Sequence, residues 1–255
     1  MLDVQCPVVY QKALPGDYFR LGLKTGFSGF VPGQFGMLEV PPVEGVLLRR
    51  PFSLARQLGD VTEILYKAVG KGTRALSRVS EGAELKLLGP LGNGFTQPLK
   101  GDLLVGVAGG YGIAPFWEMA AQLKEQGKKL KLFYGARSVA DLIYLEELSS
   151  LDVELYLSTE DGSEGHKGLV TESLNQKFQE GAPNWVWSCG PMGLLKAVGN
   201  WCEGREIPCE LSVEEAMGCG TGVCLGCVVL DREGNYLRAC VEGPVFNGKT
   251  LEFAS

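Results

Sequence analysis

Histidine is nearly absent: the 255 residues hold one, His166, in the glycine-flanked stretch DGSEGHKG. A lone loop histidine builds neither a Ser–His–Asp triad nor a metal-hydrolase site, which argues against hydrolytic chemistry. Basic excess is missing too. Lys and Arg number 24 against 30 Asp and Glu, for a net charge of −6. With no basic stripe and no aromatic RNA-binding motif, this argues against a nucleic-acid partner. No apolar run is long enough to cross a bilayer. The start, MLDVQCPVVY, lacks the charged region, apolar run and cleavage site of a secretory leader. The expectation is a cytoplasmic protein with no membrane partner. Internal repeats and low-complexity tails are also lacking, and the length allows about two buried cores.

What the chain does have is glycine, 36 residues, and eight cysteines. Cys219, Cys224, Cys227 and Cys240 lie in EEAMGCGTGVCLGCVVLDREGNYLRAC with the spacing C-x4-C-x2-C-x12-C. Four thiolates can hold one 2Fe–2S cluster, and the first three have a ferredoxin-like spacing. Gly218, Gly220, Gly222 and Gly226 suit a loop wrapped around an inorganic cluster, where amides must approach sulfur closely. Val228-Val229-Leu230 reads as a strand, Asp231 to Asn235 as a turn and Tyr236-Leu237 as the returning strand. That hairpin brings Cys240 back beside Cys227. A structural zinc site is the chief rival, although zinc sites usually pair two C-x2-C knuckles and only one is present. Disulfides rank last in a reducing compartment. Cys6, Cys189, Cys202 and Cys209 share no spacing and read mostly as small core residues.

Three segments follow one another. Residues 1–98 read as short strands, including Tyr18 to Leu23, Gly36 to Val40 and Val61 to Val69, broken by Pro-Gly and Pro-Pro turns. This suggests a small antiparallel barrel. Across residues 99–208 strands alternate with helices. Strands are expected at Leu103 to Ala108, Leu130 to Tyr134, Val153 to Leu157 and Trp185 to Cys189. Helices are expected at Pro115 to Glu125, Ala140 to Leu148, Thr171 to Phe178 and Pro191 to Cys202. Such alternation gives a doubly wound parallel sheet. Residues 209–255 are too few for a large core of their own and suit a small lobe organised by the cluster.

Both larger segments carry phosphate-type motifs. In the first, Arg50-Pro51-Phe52-Ser53 offers a guanidinium for a pyrophosphate and a ring to lie against a flavin. Lys67-Ala68-Val69-Gly70-Lys71-Gly72-Thr73 ends a strand and opens a helix, where amides and the Thr73 hydroxyl can meet phosphate. In the second, Gly109-Gly110-Tyr111-Gly112-Ile113-Ala114-Pro115 stands between the first strand and its helix, the dinucleotide position of such sheets. Gly135-Ala136-Arg137, Thr159-Glu160-Asp161-Gly162 and Cys189-Gly190-Pro191-Met192 end later strands along the same crevice. Any one of these is a turn. Four together point to a nucleotide.

The order RPFS, VGKGT, GGYGIAP, CGPM resembles the ferredoxin–NADP reductase superfamily, and CGTGVCLGC closely resembles the electron-transfer subunits of NAD-dependent dihydroorotate dehydrogenases. The resemblance implies that Arg50, Pro51, Phe52, Ser53, Lys67, Ala68 and Val69 bind FAD, with Gly72 and Thr73 on its pyrophosphate. Phe52 stands where many superfamily members carry tyrosine. Gly109, Gly110 and Gly112 would meet NAD, and Cys189-Gly190-Pro191 would lie near the nicotinamide, with Cys189 leaving room for the ring. The implied partner is an FMN-containing catalytic subunit that oxidises dihydroorotate, in a heterotetramer of two subunits of each kind. No acid or base for dihydropyrimidine oxidation is apparent in this chain. Related sulfide dehydrogenase or ferredoxin–NADP reductase subunits often carry aspartate at the first ligand position, so Cys219 favours the dihydroorotate reading. A non-catalytic redox sensor would not need the nicotinamide crevice. Arg137 against Glu160 or Asp161 leaves NADP against NAD open.

Overall fold

The structure, a computed structural model, describes residues 1–98 and 101–253. The expected start of the second segment, residue 99, and end of the third, residue 255, lie outside the described residues. Six antiparallel strands close a barrel in the order β1-β2-β5-β4-β3-β6. They are β1 (Leu2–Leu14), β2 (Tyr18–Lys24), β3 (Phe35–Leu38), β4 (Arg50–Leu58), β5 (Val61–Lys67) and β6 (Glu84–Leu91). A short helix, α1 (Lys71–Leu76), follows β5. Strand β1 carries Pro7 and little alternation, and sequence patterning gives no hint of it. It spans two neighbours, β2 and β6.

The second unit is a seven-stranded sheet in the order β10-β9-β8-β7-β11-β12-β15. Its strands are β7 (Leu104–Gly109), β8 (Leu130–Ala136), β9 (Glu154–Thr159), β10 (His166–Lys167), β11 (Trp185–Cys189), β12 (Cys209–Ser212) and β15 (Val245–Asn247). All pair in parallel except β15, which runs antiparallel along β12. Helices α2 (Ala114–Glu125), α3 (Leu145–Ser149), α4 (Val170–Lys177) and α5 (Met192–Glu203) form the crossovers. The expected helix from Ala140 to Leu148 resolves into a 3-10 turn at Val139–Asp141 and the short α3. Chain order reverses where β7 meets β8 on one side and β11 on the other, and such switch points open a crevice at the strands' carboxyl ends. The segment from 209 onward supplies β12 and β15 to this sheet, and between them a separate hairpin, β13 (Val228–Leu230) and β14 (Tyr236–Arg238).

Strand alternation on β5 explains how the two units lock together. Ile64 and Tyr66 point into the barrel core, whereas Leu65 joins the core shared with the sheet. Glu63 and Lys67 share Leu65's face by period two. Glu63 is fully buried and accepts hydrogen bonds from Tyr10 Oη (2.6 Å), Arg20 Nε (2.9 Å) and Tyr144 Oη. Lys67 Nζ donates to Asp141 Oδ1 at 2.8 Å. One barrel strand is thus clipped twice to the 139–144 segment of the sheet unit.

Candidate functional site

A cavity of about 420 Å³ lies where the barrel, the sheet and the stretch from Ser212 to Met217 converge. Pro51, Phe52, Ser53, Lys67, Val69 and Thr73 line it from the barrel side. These residues face it because β4 and the end of β5 are adjacent antiparallel strands whose continuation is the glycine turn. The Phe52 ring packs at 5.7 Å from Tyr66, which itself stacks on Phe19 at 5.4 Å. That backing holds an aromatic face toward the cavity, suited to a planar ring system. The Ser53 hydroxyl lines the cavity with no hydrogen-bond partner among the described residues.

Three expected flavin residues, Arg50, Ala68 and Gly72, do not line the cavity. Arg50 Nη1 donates to Leu48 O at 2.7 Å and Arg49 O at 3.3 Å, while its Nε lies 3.7 Å from where a Cβ on Gly72 would be. The guanidinium and the first turn of α1 therefore do come together. Ala68 is tied by its N–H to Asp17 O at 2.9 Å. The Thr73 hydroxyl closes the turn: it accepts from the N–H groups of Val69 and Gly70, each at 3.0 Å, and donates to Gly70 O at 3.2 Å.

A second cavity, about 680 Å³, opens at the carboxyl ends of the sheet strands. Gly109, Gly110 and Pro191 line it, as do Gly135, Arg137 and Glu160. Gly112 does not. An added Cβ there would fall 2.3 Å from Cys189 O, so this glycine permits backbone contact between two strand-end turns. Gly190 serves the same junction, since its Cβ would lie 3.0 Å from Gly109 N. Cys189 lines the first cavity instead, and burial pushes its thiol far up, so it stays protonated. Lys67, Val69 and Tyr111 line both cavities.

The far wall of the first cavity was not legible as a site. Ser212, Val213, Glu214, Glu215 and Met217 form it as the chain leaves β12. Glu214 accepts a hydrogen bond from Tyr111 Oη at 2.8 Å, and desolvation raises the pKa of both groups. The available signal was a pair of carboxylates directly after a strand that ends in the crevice.

Two residues beyond Met217 the cysteine loop begins. The β13–β14 hairpin forms as expected, its turn held by Asp231, whose Oδ1 accepts from Glu233 N at 3.0 Å and Asn235 N at 2.7 Å. Ala239 N donates to Cys227 O at 2.8 Å, which sets Cys240 beside Cys227. The thiols interact across the loop, Cys219 with Cys224 and Cys240 with both Cys227 and Cys219. Among the described residues no three acidic, cysteine or histidine groups gather as one ion would need. Four thiols carried by one loop and one hairpin supply the donor set that a 2Fe–2S cluster would need. Thr221 N donates to Cys219 Sγ at 3.4 Å, and such amide bonds lower that thiol to about 6. Cys227 and Cys240 are buried, while Cys224 is exposed beside Val223 and Leu225. Gly220, at φ +73°, packs so that a Cβ would come 2.4 Å from Met37 Cγ of the barrel.

A closed barrel before a parallel nucleotide sheet, with a cavity between them, defines the flavin- and nicotinamide-linked reductases. A chain of an NADH-dependent reduced ferredoxin–NADP oxidoreductase is similar throughout, with a TM-score of 0.86 and 30% identity, covering 98% of this chain and 90% of that one. Residues 107–200 match the family described as the oxidoreductase NAD-binding domain. Residues 214–252 match the iron–sulfur cluster binding domain of dihydroorotate dehydrogenase B. The dihydroorotate dehydrogenase B (NAD(+)) electron transfer subunit of Bacillus velezensis is 39% identical, over 95% of this chain and 93% of its own. Its counterpart in Clostridium perfringens is 38% identical over 87% of each. The chain belongs to the family of dihydroorotate dehydrogenase B electron transfer subunits.

Proposed function

We propose that this chain carries electrons from a dihydroorotate-oxidising, FMN-containing partner subunit to NAD in pyrimidine biosynthesis, working in the cytoplasm within a heterotetramer. In this reading residues 1–98 hold FAD, 99–208 hold the nicotinamide nucleotide and 209–255 hold a 2Fe–2S cluster. A cluster passes single electrons and NAD takes a hydride; a flavin does both and belongs between them. The observation that carries the reading is the first cavity. It is bounded by the barrel at Phe52 and Ser53, by the sheet at Tyr111 and Cys189, and by Met217 at the threshold of the cysteine loop. One volume therefore touches all three regions.

The chain's own residues do the placing. Phe52, backed by Tyr66, offers a face for the flavin ring, and Arg50 with the α1 turn at Gly72 and Thr73 offers charge and amides to the pyrophosphate. Gly109, Gly110 and Pro191 leave room for the dinucleotide. Cys219, Cys224, Cys227 and Cys240 ligate the iron. No helix among the described residues is long and apolar enough to cross a membrane.

The test is spectroscopic. Purified protein should show flavin and iron–sulfur absorption, and NADH should bleach the flavin. Cys224→Ser should remove the cluster's absorption and stop partner-coupled NAD reduction, while NADH still bleaches the flavin. A wild-type flavin that NADH leaves untouched would refute the reading.

A further inference from the structure

Helix α5 lies against β12 in a register that brings two thiols together. Period two puts Ile207, Cys209 and Leu211 on one face of the chain that enters and forms β12, and all three are buried. Helical spacing puts Leu195, Val198 and Cys202 on one stripe of α5, and the six residues share one core. Gly199 marks the register, since a Cβ there would lie 3.3 Å from Leu211 Cδ1. Three residues cover about 4.5 Å along a helix, and two cover about 6.6 Å along a strand. The next contact toward the connecting turn is therefore Cys202 with Cys209, and the Cys202 thiol donates to the Cys209 sulfur. Neither sulfur belongs to the cysteine loop.

The two thiols are unequal. Cys202 is fully buried and, as the donor, stays protonated. Gly248 N–H, bonded to Cys209 O at 2.9 Å, also reaches the Cys209 sulfur, and the two donors hold that thiol below its ordinary pKa. Gly248 covers Cys209 with backbone alone, because a Cβ would fall 2.3 Å from Sγ. A favoured thiolate, screened by one glycine and backed by a protonated thiol, has the makings of an attacking and a resolving cysteine. Disulfides that form in reducing compartments are mostly transient and redox-sensing.

The pair stands where the cysteine lobe is rooted. One root is β12 itself, which runs from Cys209 through Ser212 toward the loop. The other is Glu203, next to Cys202, which accepts from Arg232 Nη1 at 2.5 Å and Nη2 at 2.8 Å in the hairpin turn. Between the roots, the turn 203–208 holds Glu206 in the left-handed region at φ +56°. A bond between the sulfurs would fasten both roots to each other across that turn.

We propose that Cys202 and Cys209 are a peroxide-sensitive dithiol that closes to a disulfide and clasps the base of the cysteine lobe. The oxidant is hydrogen peroxide. The Cys209 thiolate attacks one peroxide oxygen, the O–O bond breaks, and the departing hydroxide takes up a proton as water. The Cys202 sulfur then attacks the Cys209 sulfenic sulfur, and its proton leaves with the hydroxyl as a second water. Two thiols lose two electrons and two protons, and one peroxide becomes two waters. A dithiol reductant reopens the clasp.

The experiment treats the full chain, as purified, with hydrogen peroxide and blocks free thiols before unfolding. Trypsin with a glutamate-specific protease then isolates Cys209 in a peptide of residues 207–210, away from the loop cysteines. Mass spectrometry should find this peptide linked to the one carrying Cys202, two hydrogens lighter than their sum, and dithiothreitol should release it. Cys202→Ser should abolish the link and leave a Cys209 sulfenic acid that dimedone traps. On the intact chain, trypsin should cut after Arg205 several-fold more slowly once wild type is oxidised, with no such change in Cys202→Ser. A link from Cys209 to a loop cysteine, a link formed only in urea, or a link that leaves cutting after Arg205 unchanged would overturn the clasp. Neither thiol enters electron transfer, so a flavin that NADH leaves unbleached would leave the clasp standing, and a missing link would leave the electron-transfer reading standing.

Discussion

Glu63→Leu should be the most damaging single change outside the cofactor sites. The carboxylate is fully buried and faces Arg20 at 2.9 Å and Arg56 at 3.7 Å, whose side chains are only 13% and 12% exposed. Arg56 also stacks over Trp117 of α2 at 4.0 Å. Removing the anion leaves two guanidinium groups facing a low-dielectric pocket, and two tyrosine hydroxyls, on Tyr10 and Tyr144, without their acceptor. Breaking a buried pair from one side costs about 3–5 kcal/mol. Glu147 partly compensates Arg20 from α3, which favours the lower end of that range. For a chain of this size each kcal/mol moves Tm by about 2–4 °C, so the expected fall is roughly 6–20 °C. Thermal unfolding followed by circular dichroism measures it, and flavin fluorescence on the same sample reports the barrel–sheet junction. Because Tyr144 and Glu147 belong to the sheet unit, the flavin should be released at or before the main transition. A loss below about 1 kcal/mol would refute the reasoning and mean that water reaches this pocket.

Two further changes probe the cofactor sites. Arg50→Ala should weaken FAD retention by about 1.5–3 kcal/mol, the worth of a charge-assisted contact, read as flavin occupancy after dialysis; unchanged occupancy would make Arg50 a surface charge. Gly220→Ala puts a Cβ into the left-handed region and 2.4 Å from Met37 Cγ, so iron content per chain should fall while FAD content holds; full iron content would show that the loop can reseat.

Sequence reading recovered the features that depend on short-range grammar. Strand-then-glycine motifs placed β7, β8, β9 and β11 within a residue or two, and the Asp231–Asn235 turn placed the hairpin that returns Cys240. What it could not resolve depends on which faces meet. Glu63 reads as a polar residue in an apolar run, VTEILYK; only the packing of β5 against the 139–144 segment makes it a hub. The one cue was a carboxylate at a position that alternation assigns to a buried face. Gly112 reads as a nucleotide glycine, and the structure packs it against Cys189 O without lining the second cavity, because the GGYGIAP motif reports a tight turn without saying which atom comes close. Glu214 and Tyr111 were invisible as a pair, being 103 positions apart in sequence. Strand β1 was missed since its buried residues follow no steady alternation over thirteen positions.

The antiparallel strand β15 carries a consequence for how this chain can be cut or fused. It closes the sheet edge along β12, and everything between those strands, the cysteine loop included, is an excursion from the sheet and back. A chain ended after residue 208 would lose both strands and leave β11, with its buried Trp187, as a raw edge open to pairing with other molecules. The iron-binding lobe is therefore a poor candidate for deletion or transplantation. A tag beyond Val245–Asn247 adjoins the sheet's last rung, so a fusion partner there would need a polar spacer to keep that rung paired.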